Sequence, residues 1–393
     1  MKKIAVLIEG DLIDRKGQIN ASLSRIKHLK TIANYQIDIY AIQTYEGLLV
    51  RLLRKNNKRN RISSMFVDGM EIHLLWNRFS IINYLLVNKL KCKPLFQNRI
   101  KKKFSCLFKS YSLISAHSIG SGRLALSIHK MYGIPYYVTW HGSDIHTLPF
   151  ASKHNFCDTV EVLETACNNF FVSKALMNTC DRITLNAKKQ LLYNGVEKKY
   201  MQYDEEQKKV LKEKFGVNDE KIVAFVGNLF HIKNVLLLPK IFEKVKNSYN
   251  KDLLFWIIGD GKLRFELQQS LIEHGVKCKL WGNQPVEKMI DFMNAIDVLV
   301  LPSKNEGLPL VTVEALACGT NVVGSNVGGI KEVIGDENVF NLDSNFVNNI
   351  SDRIVEMLDN KIEQSLSELF DWDKTAIIEN DVYINELNKN NNE

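Results

Sequence analysis

Short apolar runs alternate with longer stretches of helical periodicity along most of the chain. Alternation of strand and helix signals is typical of βα units that build parallel sheets. In the first half of the chain we predict strands near residues 3–8, 36–42, 70–75, 112–116, 135–139, 168–172 and 190–193. In the second half we predict strands near residues 222–227, 253–258, 277–281, 297–301, 320–323 and 338–341.

The segments between these strands predict helices. They include residues 121–132, 174–179, 232–248, 261–274, 286–295, 310–318 and 329–334. Strands and helices in this order indicate an α/β protein with doubly wound parallel sheets.

The length of the chain favours two domains, because 393 residues are too many for one hydrophobic core. Asn194-Gly195-Val196 is a turn signal, a highly charged stretch follows it, and a new strand begins at Ile222. We therefore predict an N-terminal domain over residues 1–200 and a C-terminal domain over residues 201–372. Ligands bind at the carboxyl ends of such strands, so we expect the site in a cleft between the two sheets.

Composition is that of an ordinary globular protein, with 45% hydrophobic and 24% charged residues. No apolar run approaches the length that crosses a membrane, and the N-terminal apolar segment, stopped by Glu9, is interpreted as the first strand. The seven cysteines include no C-x-x-C pair. This count and spacing predict neither a disulfide framework nor a zinc site, and they favour a reducing cytoplasm.

Charge is distributed unevenly. Residues 1–200 hold 31 Lys and Arg against 13 Asp and Glu, whereas residues 201–393 hold 21 against 31. The basic half contains three clusters with apolar residues between the charges: Arg51, Arg54, Lys55, Lys58, Arg59 and Arg61; Lys89, Lys91 and Lys93; Arg99, Lys101, Lys102 and Lys103. Such clusters form either a solvated face or a patch for an anionic surface. The interleaved apolar residues favour an inner-membrane surface over nucleic acid, for which no recognition motif is present.

Glu306 and Glu314 stand eight positions apart around a predicted strand-to-helix junction. One acid lies in the loop after the strand, and the other lies about 7–8 Å further along the helix axis. The helix start between them, with Pro309 in its first turn, offers free amides that suit a phosphate. Two acids here are also compatible with a helix-dipole effect on a solvated face. The functional interpretation is a nucleotide-diphosphate sugar, which has hydroxyls at both ends and a diphosphate in the middle.

A second strand-to-helix junction contains Gly227, Asn228 and Lys233. Gly227 permits close approach of the backbone to a ligand. We predict Lys233 at the start of a helix, where the dipole disfavours a cation and a bound anion would remove the conflict. The alternative is a solvent-exposed lysine.

Three further turns could contact a ligand. His141-Gly142-Ser143-Asp144 follows a predicted strand, although a lone histidine is more often structural. Gly17 lies in a short basic loop after the first strand, and the amides of Gly328-Gly329 could face the cleft. The chain lacks HExxH, G-x-S-x-G, Walker A and GxGxxG motifs, so these signals of metalloprotease, serine-hydrolase, P-loop and nicotinamide chemistry are missing.

The chain resembles the retaining glycosyltransferases of family four, which have the GT-B architecture of two Rossmann-like domains. The resemblance covers nearly the whole chain, and the two glutamates are its most specific part. The other segments that carry it are His141 to Asp144, Asn194 to Glu197, Gly227 to Asn234 and Gly328-Gly329.

The resemblance implies roles on the C-terminal side. Glu314 would hold the ribose hydroxyls of the donor. Glu306 would contact hydroxyls of the transferred sugar and stabilise positive charge at its anomeric carbon. The amides near Gly307 and Leu308 would hold the diphosphate, with charge added by Lys233.

On the N-terminal side, the resemblance implies that His141 lies beside the donor sugar and that Gly17 reaches the phosphates. Asp144 and Gly227 are further candidates for donor binding. Many family members carry arginine where this chain has Asn228, and a neutral amide gives the phosphate no charge. The family also implies that a helix near residues 373–393 returns to the N-terminal domain.

We therefore expect a cytoplasmic, metal-independent, retaining enzyme without a cofactor. It would move a hexose or N-acetylhexosamine from a nucleotide-diphosphate donor, UDP before GDP, to a glycan carried on a lipid at the inner membrane face, as in capsule, exopolysaccharide or O-antigen assembly. Two alternatives remain open: an enzyme of the same architecture that acts on a small soluble substrate, and a non-catalytic partner subunit. The basic clusters count against the first alternative, and Asn228 is the feature that favours the second.

Overall fold

The computed structural model describes residues 2–12, 17–54, 61–88, 100, 103–359 and 362–389. The chain divides into two compact units. The first comprises Met1–Tyr193 together with Trp372–Glu393, and the second comprises Asn194–Asp371. Each unit has its own sheet and is described by itself.

The first unit contains an eight-stranded sheet with the order β3-β4-β2-β1-β5-β6-β7-β8. Its strands are β1 (Lys3–Glu9), β2 (Gln36–Glu46), β3 (Ser64–Val67), β4 (Met70–Phe79), β5 (Leu113–His117), β6 (Tyr136–Trp140), β7 (Asn168–Phe171) and β8 (Lys189–Leu191). All neighbours pair in parallel except β3 and β4. The helices before the second unit are α1 (Gly17–Ile32), α2 (Leu48–Arg54), α3 (Ile81–Asn88), α4 (Ser118–Tyr132), α5 (Ser143–His146), α6 (Lys153–Thr165) and α7 (Lys174–Cys180).

The second unit contains a six-stranded, fully parallel sheet with the order β11-β10-β9-β12-β13-β14. Its strands are β9 (Lys221–Val226), β10 (Leu253–Ile258), β11 (Cys278–Gly282), β12 (Val298–Leu301), β13 (Asn321–Ser325) and β14 (Val339–Phe340). Its helices are α8 (Glu205–Phe215), α9 (Leu238–Ser248), α10 (Arg264–Glu273), α11 (Met289–Ala295), α12 (Leu310–Ala317), α13 (Ile330–Ile334) and α14 (Phe346–Leu358). The prediction of an α/β protein with two doubly wound parallel sheets is confirmed.

The hydrophobic pattern explains how these elements pack. In α9, Ile241, Phe242 and Val245 recur at helical spacing and are completely buried. They join the core beside β10, where the ring of Phe242 stacks on that of Phe255 with centroids 4.5 Å apart. Strand β1 is buried at every position between its ends, as expected for a parallel strand covered on both faces.

The prediction of the strands is correct at all thirteen positions and misses one element, β3. Its four residues pair with β4 as a hairpin closed by Asp68 and Gly69, whose φ angles are +49° and +78°. An Asp-Gly pair between strand-forming residues is a strong hairpin signal, because both turn positions require positive φ. The sequence therefore contained the information for β3.

The C-terminal helix α15 (Trp372–Lys389) belongs to the first unit, where it packs on α1. Trp372, Tyr383 and Leu387 on this helix are buried. The hydroxyl of Tyr383 donates to Glu379 Oε1 at 2.7 Å and lies 2.8 Å from Ser115 Oγ. Burial raises the pKa of Glu379, and nearby Arg25 opposes that shift. The helix is thus attached through an apolar stripe and a buried polar network.

No helix among the described residues is long and apolar enough to span a bilayer.

We expect Tyr383→Phe to lower the free energy of unfolding of the protein by about 1–3 kcal/mol. The Glu379 carboxyl stays buried in this variant but loses a hydrogen-bond donor, so its desolvation is no longer offset. The measurement is denaturant unfolding followed by circular dichroism. Tyr132→Phe is the matched control, since Tyr132 is exposed on α4. Equal stability of the two variants would contradict a stabilising role for the hydroxyl of Tyr383.

Candidate functional site

The candidate site of the second unit lies where the strand order reverses. Strands β9 and β12 are neighbours, with β10 and β11 beyond one and β13 and β14 beyond the other. Loops follow the carboxyl ends of both central strands. The place where the strand order reverses is called the switch point, and open α/β sheets bind ligands there. Gly227 follows β9, and Glu306 follows β12.

An ion pair joins these two loops. Lys233 Nζ donates to Glu306 Oε1 at 2.6 Å, and the two side chains are only 23% and 10% exposed. Because the pair is largely withdrawn from water, its attraction is stronger than that of a surface pair. The structure thus brings together two residues that lie far apart in the sequence and that the sequence analysis selected separately.

The predicted position of Lys233 at a helix start is wrong. Lys233 ends a 3₁₀ turn (His231–Lys233), Asn234 then adopts the left-handed conformation with φ +54°, and α9 begins only at Leu238. Asparagine tolerates this conformation better than most residues, and Pro239 suits the first turn of a helix. The charge of Lys233 is therefore matched by Glu306, and a helix dipole plays no part.

Backbone contacts fix the loop that carries Glu306. Lys304 N–H donates to the carbonyl oxygen of Ile232 at 2.8 Å, and Gly329 N–H donates to that of Gly307 at 2.8 Å. Gly328 has φ +53°, and a Cβ there would lie 1.9 Å from the carbonyl oxygen of Glu306. Only glycine fits at this contact. The prediction that the amides of Gly328-Gly329 could face the cleft is wrong for Gly329, because its N–H donates to the carbonyl oxygen of Gly307.

The start of α12 presents unpaired donors. Within the described residues, the N–H groups of Gly307, Leu308, Leu310 and Val311 have no hydrogen-bond acceptor. Pro309 is the N-cap residue with ψ 115°, so the prediction that it lies in the first turn is wrong by one position. Extended ψ at Pro309 ends the loop and leaves the following amides pointing out of the helix start. These donors and their partial positive charge can hold an anion.

Glu314 lies in the second turn of α12. Its carboxyl accepts a hydrogen bond from the hydroxyl of Tyr200, and burial raises the pKa of Glu314 to about 7. The Tyr200 hydroxyl and the charge of Lys199 oppose this shift. The sequence analysis missed Tyr200 because it precedes the first strand of the second unit and carries no motif. The carboxyl group of Glu314, which we predict to accept hydrogen bonds from ribose hydroxyls, is therefore held in place by Tyr200.

The loop after β10 supports the loop after β9, which sequence reasoning also missed. Gly227 has φ +153°, and a Cβ on Gly259 would lie 2.0 Å from the carbonyl oxygen of Gly227. A Cβ on Gly261 would lie 2.5 Å from the carbonyl oxygen of Leu229, and the N–H of Leu229 donates to the backbone carbonyl oxygen of Asp260 at 3.0 Å. The signal was the segment Gly259-Asp260-Gly261, which follows a predicted strand. Asn228, between these contacts, is partly exposed.

In the first unit, His141 and Asp144 form one turn after β6. The Asp144 carboxylate accepts from the backbone N–H of His141 at 3.2 Å and from that of Gly142 at 2.7 Å. Burial raises the pKa of Asp144 to about 6, and these backbone donors oppose the rise. Asp144 is 5% exposed, so its carboxylate positions the backbone of His141.

His141 has two partners that the sequence did not reveal. Its Nε2 lies 3.2 Å from His117 Nδ1 and 3.3 Å from Ser22 Oγ, and the two imidazole rings stack with centroids 5.5 Å apart. Burial and the charge of Arg25 lower the pKa of His141 to about 3. Burial also lowers the pKa of His117 well below its usual value. Both rings are therefore neutral near pH 7.

Gly17 begins α1, and a Cβ there would meet no atom within 4 Å. Its neighbours Arg15 and Lys16 lie outside the described residues. So do most of the predicted basic clusters: Lys55, Lys58, Arg59, Lys89, Lys91, Lys93, Arg99, Lys101 and Lys102. Within residues 2–12, 17–54, 61–88, 100, 103–359 and 362–389, no group of three or more His, Cys, Asp and Glu is arranged to hold a metal ion.

We expect Gly328→Ala to destabilise the second unit more than Gly275→Ala. Both glycines have positive φ, but the added methyl group at position 275 would meet open space, whereas at position 328 it meets the backbone of Glu306. The difference in free energy of unfolding should be at least about 2 kcal/mol, as for other steric overpacking. Denaturant unfolding measures it. If the two variants lose the same stability, the fit between Gly328 and the Glu306 loop is not a constraint.

We expect the imidazoles of His117 and His141 to stay neutral when the pH is lowered from about 7 to about 5, because burial lowers the pKa of His141 to about 3 and that of His117 well below the ordinary value near 6.5. Histidine Cε1–H resonances followed by NMR during the titration test this. His141→Gln and His117→Gln assign the two signals by their disappearance. Protonation of either ring near pH 6 would contradict the desolvated cluster.

Comparison with known proteins shows which sequences are similar to this chain. Residues 207–369 match the family described as Glycosyl transferases group 1. The "Putative teichuronic acid biosynthesis glycosyltransferase TuaC" of Bacillus subtilis is 30% identical over 225 residues, which are 57% of this chain and 55% of TuaC. The chain thus matches about half the length of that relative.

Solved structures share the fold over nearly the whole chain. Sucrose-phosphate synthase from Thermosynechococcus elongatus has a TM-score of 0.76 at 17% identity and covers 98% of this chain and 99% of its own. Anabaena HepE in complex with UDP and glucose has a TM-score of 0.72 at 16% identity and covers 97% and 99%. The second unit is therefore similar in sequence to group 1 glycosyltransferases, and the chain has the GT-B fold of two Rossmann-like units.

Proposed function

We propose that this chain is a retaining glycosyltransferase that moves a hexose or N-acetylhexosamine from a nucleotide-diphosphate sugar to a glycan. The observation that carries the proposal is the arrangement around α12. It has a carboxylate at Glu306, unpaired amides at the helix start, and a second carboxyl group at Glu314. This order matches a sugar, a diphosphate and a ribose.

Lys233 has a defined part in this proposal. Without a ligand it neutralises Glu306, so the negative charge of that carboxylate does not repel an arriving diphosphate. When the donor binds, the ammonium group that is held at Glu306 would contact the diphosphate as well. The amides and Lys233 would stabilise the leaving group electrostatically, which is the basis for proposing a metal-independent reaction. Asn228 adds a hydrogen-bonding amide without charge.

The carboxylates would act on hydroxyl groups and developing charge. Glu306 would orient the transferred sugar and stabilise positive charge at its anomeric carbon. Glu314 would accept hydrogen bonds from the ribose, in a position set by Tyr200. Retention would follow from attack on the face that the diphosphate leaves, with the leaving phosphate accepting the proton of the acceptor. The roles of His141, Asp144 and Gly17 in donor binding stay predictions.

The nature of the donor and acceptor is supported by relatives and by charge. HepE is recorded with UDP and glucose, and TuaC is named for teichuronic acid biosynthesis. We therefore favour UDP as the nucleotide and a bacterial surface polysaccharide as the product. The excess of Lys and Arg in residues 1–200 favours a lipid-linked acceptor and a cytoplasmic protein at the inner membrane face.

We expect Glu306→Gln to lower the rate of sugar transfer by about 10²–10³-fold, because the amide is similar in shape but cannot stabilise positive charge in the transition state. The measurement is UDP release and product formation with UDP-sugars. Donor binding, measured as the thermal shift with UDP, should change much less. Glu266→Gln is the control, since Glu266 is an exposed acid of α10 in the same unit.

Unchanged transfer by Glu306→Gln would contradict the proposed mechanism. A wild-type protein that turns over no UDP- or GDP-sugar would favour the non-catalytic partner subunit. Full activity on a small soluble acceptor, with none on lipid-linked acceptors, would favour the soluble-substrate enzyme.

A further inference from the structure

A pocket of about 810 Å³ opens in the first unit, at the carboxyl ends of β1 and β2. Pockets of this volume accommodate ligands of the size of a drug or a disaccharide. Acidic residues lie at the end of β1, whereas Arg51, Arg61 and Arg78 contribute to the rest of the lining. No residue of the donor arrangement in the second unit takes part.

The three arginines are held in place without being neutralised. The guanidinium of Arg61 lies over the ring of Tyr45 at 4.7 Å, and that of Arg78 packs against Gly47. The buried Nε of Arg51 makes no hydrogen bond. None of the three has an ion-pair partner in the part of the chain that the structure describes. Planar guanidinium groups in this state suit a phosphate-type anion.

The acids that line the same pocket form no ion pair with these arginines among the described residues. The carboxyl group of Glu9 packs against Gly120 near the start of α4, where a Cβ would lie 1.5 Å from it. Burial raises the pKa of Glu9, and the charge of Arg123 and a hydrogen bond with the Ser118 side chain oppose this rise. Asp11 and Glu46 are engaged in interactions of their own. The pocket thus has a positive wall at α2 and β4.

An apolar surface continues from that wall. Leu48 lines the pocket, and Leu49, Leu52 and Leu53 on the same helix are 59%, 68% and 62% exposed. Val50 is the residue of α2 that is completely buried. Helix α3 packs beside α2 and exposes Ile82 and Leu85. Exposed leucines are ordinary when scattered, but a group of them on two adjoining helices marks an interaction surface.

Charge identifies the occupant of this α2–α3 surface. Arginines stand among the leucines of α2, and the sequence after each of the two helices is rich in Lys and Arg. Leucines that enter the acyl layer and cations that meet the headgroups are the features of an interfacial helix on an anionic bilayer. A protein partner would need acidic groups at positions that match these cations. An anionic bilayer has negative headgroups over its whole surface and needs no such match.

We propose that the α2–α3 surface docks on an anionic lipid bilayer and that the arginine-lined pocket beside it receives the phosphate group of a membrane-resident amphiphile. This rests on the proposed function, in which that amphiphile carries the acceptor glycan. The leucines supply affinity for the bilayer, and the arginines select the phosphate. Docking brings the pocket mouth to the level of the headgroups, so the acceptor need not leave the membrane.

Flotation of the full-length protein with phosphatidylcholine vesicles that contain about 30 mol% phosphatidylglycerol tests the proposal. The wild type should float at low salt, and Leu49→Ser/Leu52→Ser/Leu53→Ser should bind at least about tenfold more weakly, because three apolar side chains no longer enter the bilayer. Arg61→Gln/Arg78→Gln should also bind the vesicles more weakly, and its binding should depend less on the salt concentration because two cations are removed. Pure phosphatidylcholine vesicles should bind the wild type more weakly than the anionic ones.

The matched control removes three equally exposed apolar side chains from the second unit: Phe265→Ser/Ile272→Ser/Leu369→Ser, with 72%, 66% and 62% exposure. It should float like the wild type. Circular dichroism checks that each variant is folded, and analytical ultracentrifugation detects self-association through the α2–α3 surface. A leucine variant that floats like the wild type, or that loses a dimer and keeps its lipid binding, would overturn the proposal.

Sugar transfer by the wild type, measured in parallel, separates the two hypotheses. Transfer to a detergent-dispersed lipid-linked acceptor, without any vesicle binding, would overturn the docking surface and leave the proposed function intact. Vesicle binding that depends on the leucines, without any sugar transfer, would support the surface and contradict the proposed function.

Discussion

The loop after β12 presents the carboxylate of Glu306 and several unpaired amides. It can do so because the backbone of neighbouring loops holds it on two sides. On one side, Lys304 bonds to the turn that carries Lys233, and on the other side Gly328 lies against the carbonyl of Glu306. A loop with so many unused donors would ordinarily be mobile, since an unpaired amide gains nothing from one fixed position. Here the order comes from contacts with adjacent loops, so the donors stay available to a ligand.

The same principle holds for the loops after β9 and β10. Glycines at positions 259 and 261 leave room where a Cβ would meet the backbone of Gly227 and Leu229. Three loops at one sheet edge are therefore packed directly against each other through their main chains. A site built in this way has little freedom to adjust when a ligand binds, which reduces the entropic cost of ordering it. The Lys233–Glu306 pair adds the charge balance that an anion site with a carboxylate requires.

Much of the fold was predictable from the sequence, because buried parallel strands appear as apolar runs and each of the thirteen predicted strands depends on such a run. Local turn chemistry was predictable in principle as well, since Asp68-Gly69 marks the missed hairpin and Pro239 marks the start of α9. The partners of the site residues were not predictable. Tyr200 meets Glu314, and His117 meets His141, through packing between distant segments, and no spacing in the sequence encodes those contacts. The expected relation to family four and the individual donor roles depend on resemblance, which identifies residue types but not their surroundings.

The two units treat charge at their sheet edges in opposite ways. In the second unit the lysine and the glutamate neutralise each other, and the remaining attraction for an anion comes from backbone dipoles, which add no net charge. In the first unit three arginines of the pocket have no ion-pair partner among the described residues, and they lie beside exposed leucines. Dipoles suit a ligand that must arrive and leave at each turnover, because they bind without strong long-range attraction. Uncompensated cations suit a surface that stays charged, because their field extends over about a Debye length, roughly 10 Å, from the protein. This difference in electrostatics fits a division of labour in which one unit exchanges a soluble donor while the other remains at an anionic boundary.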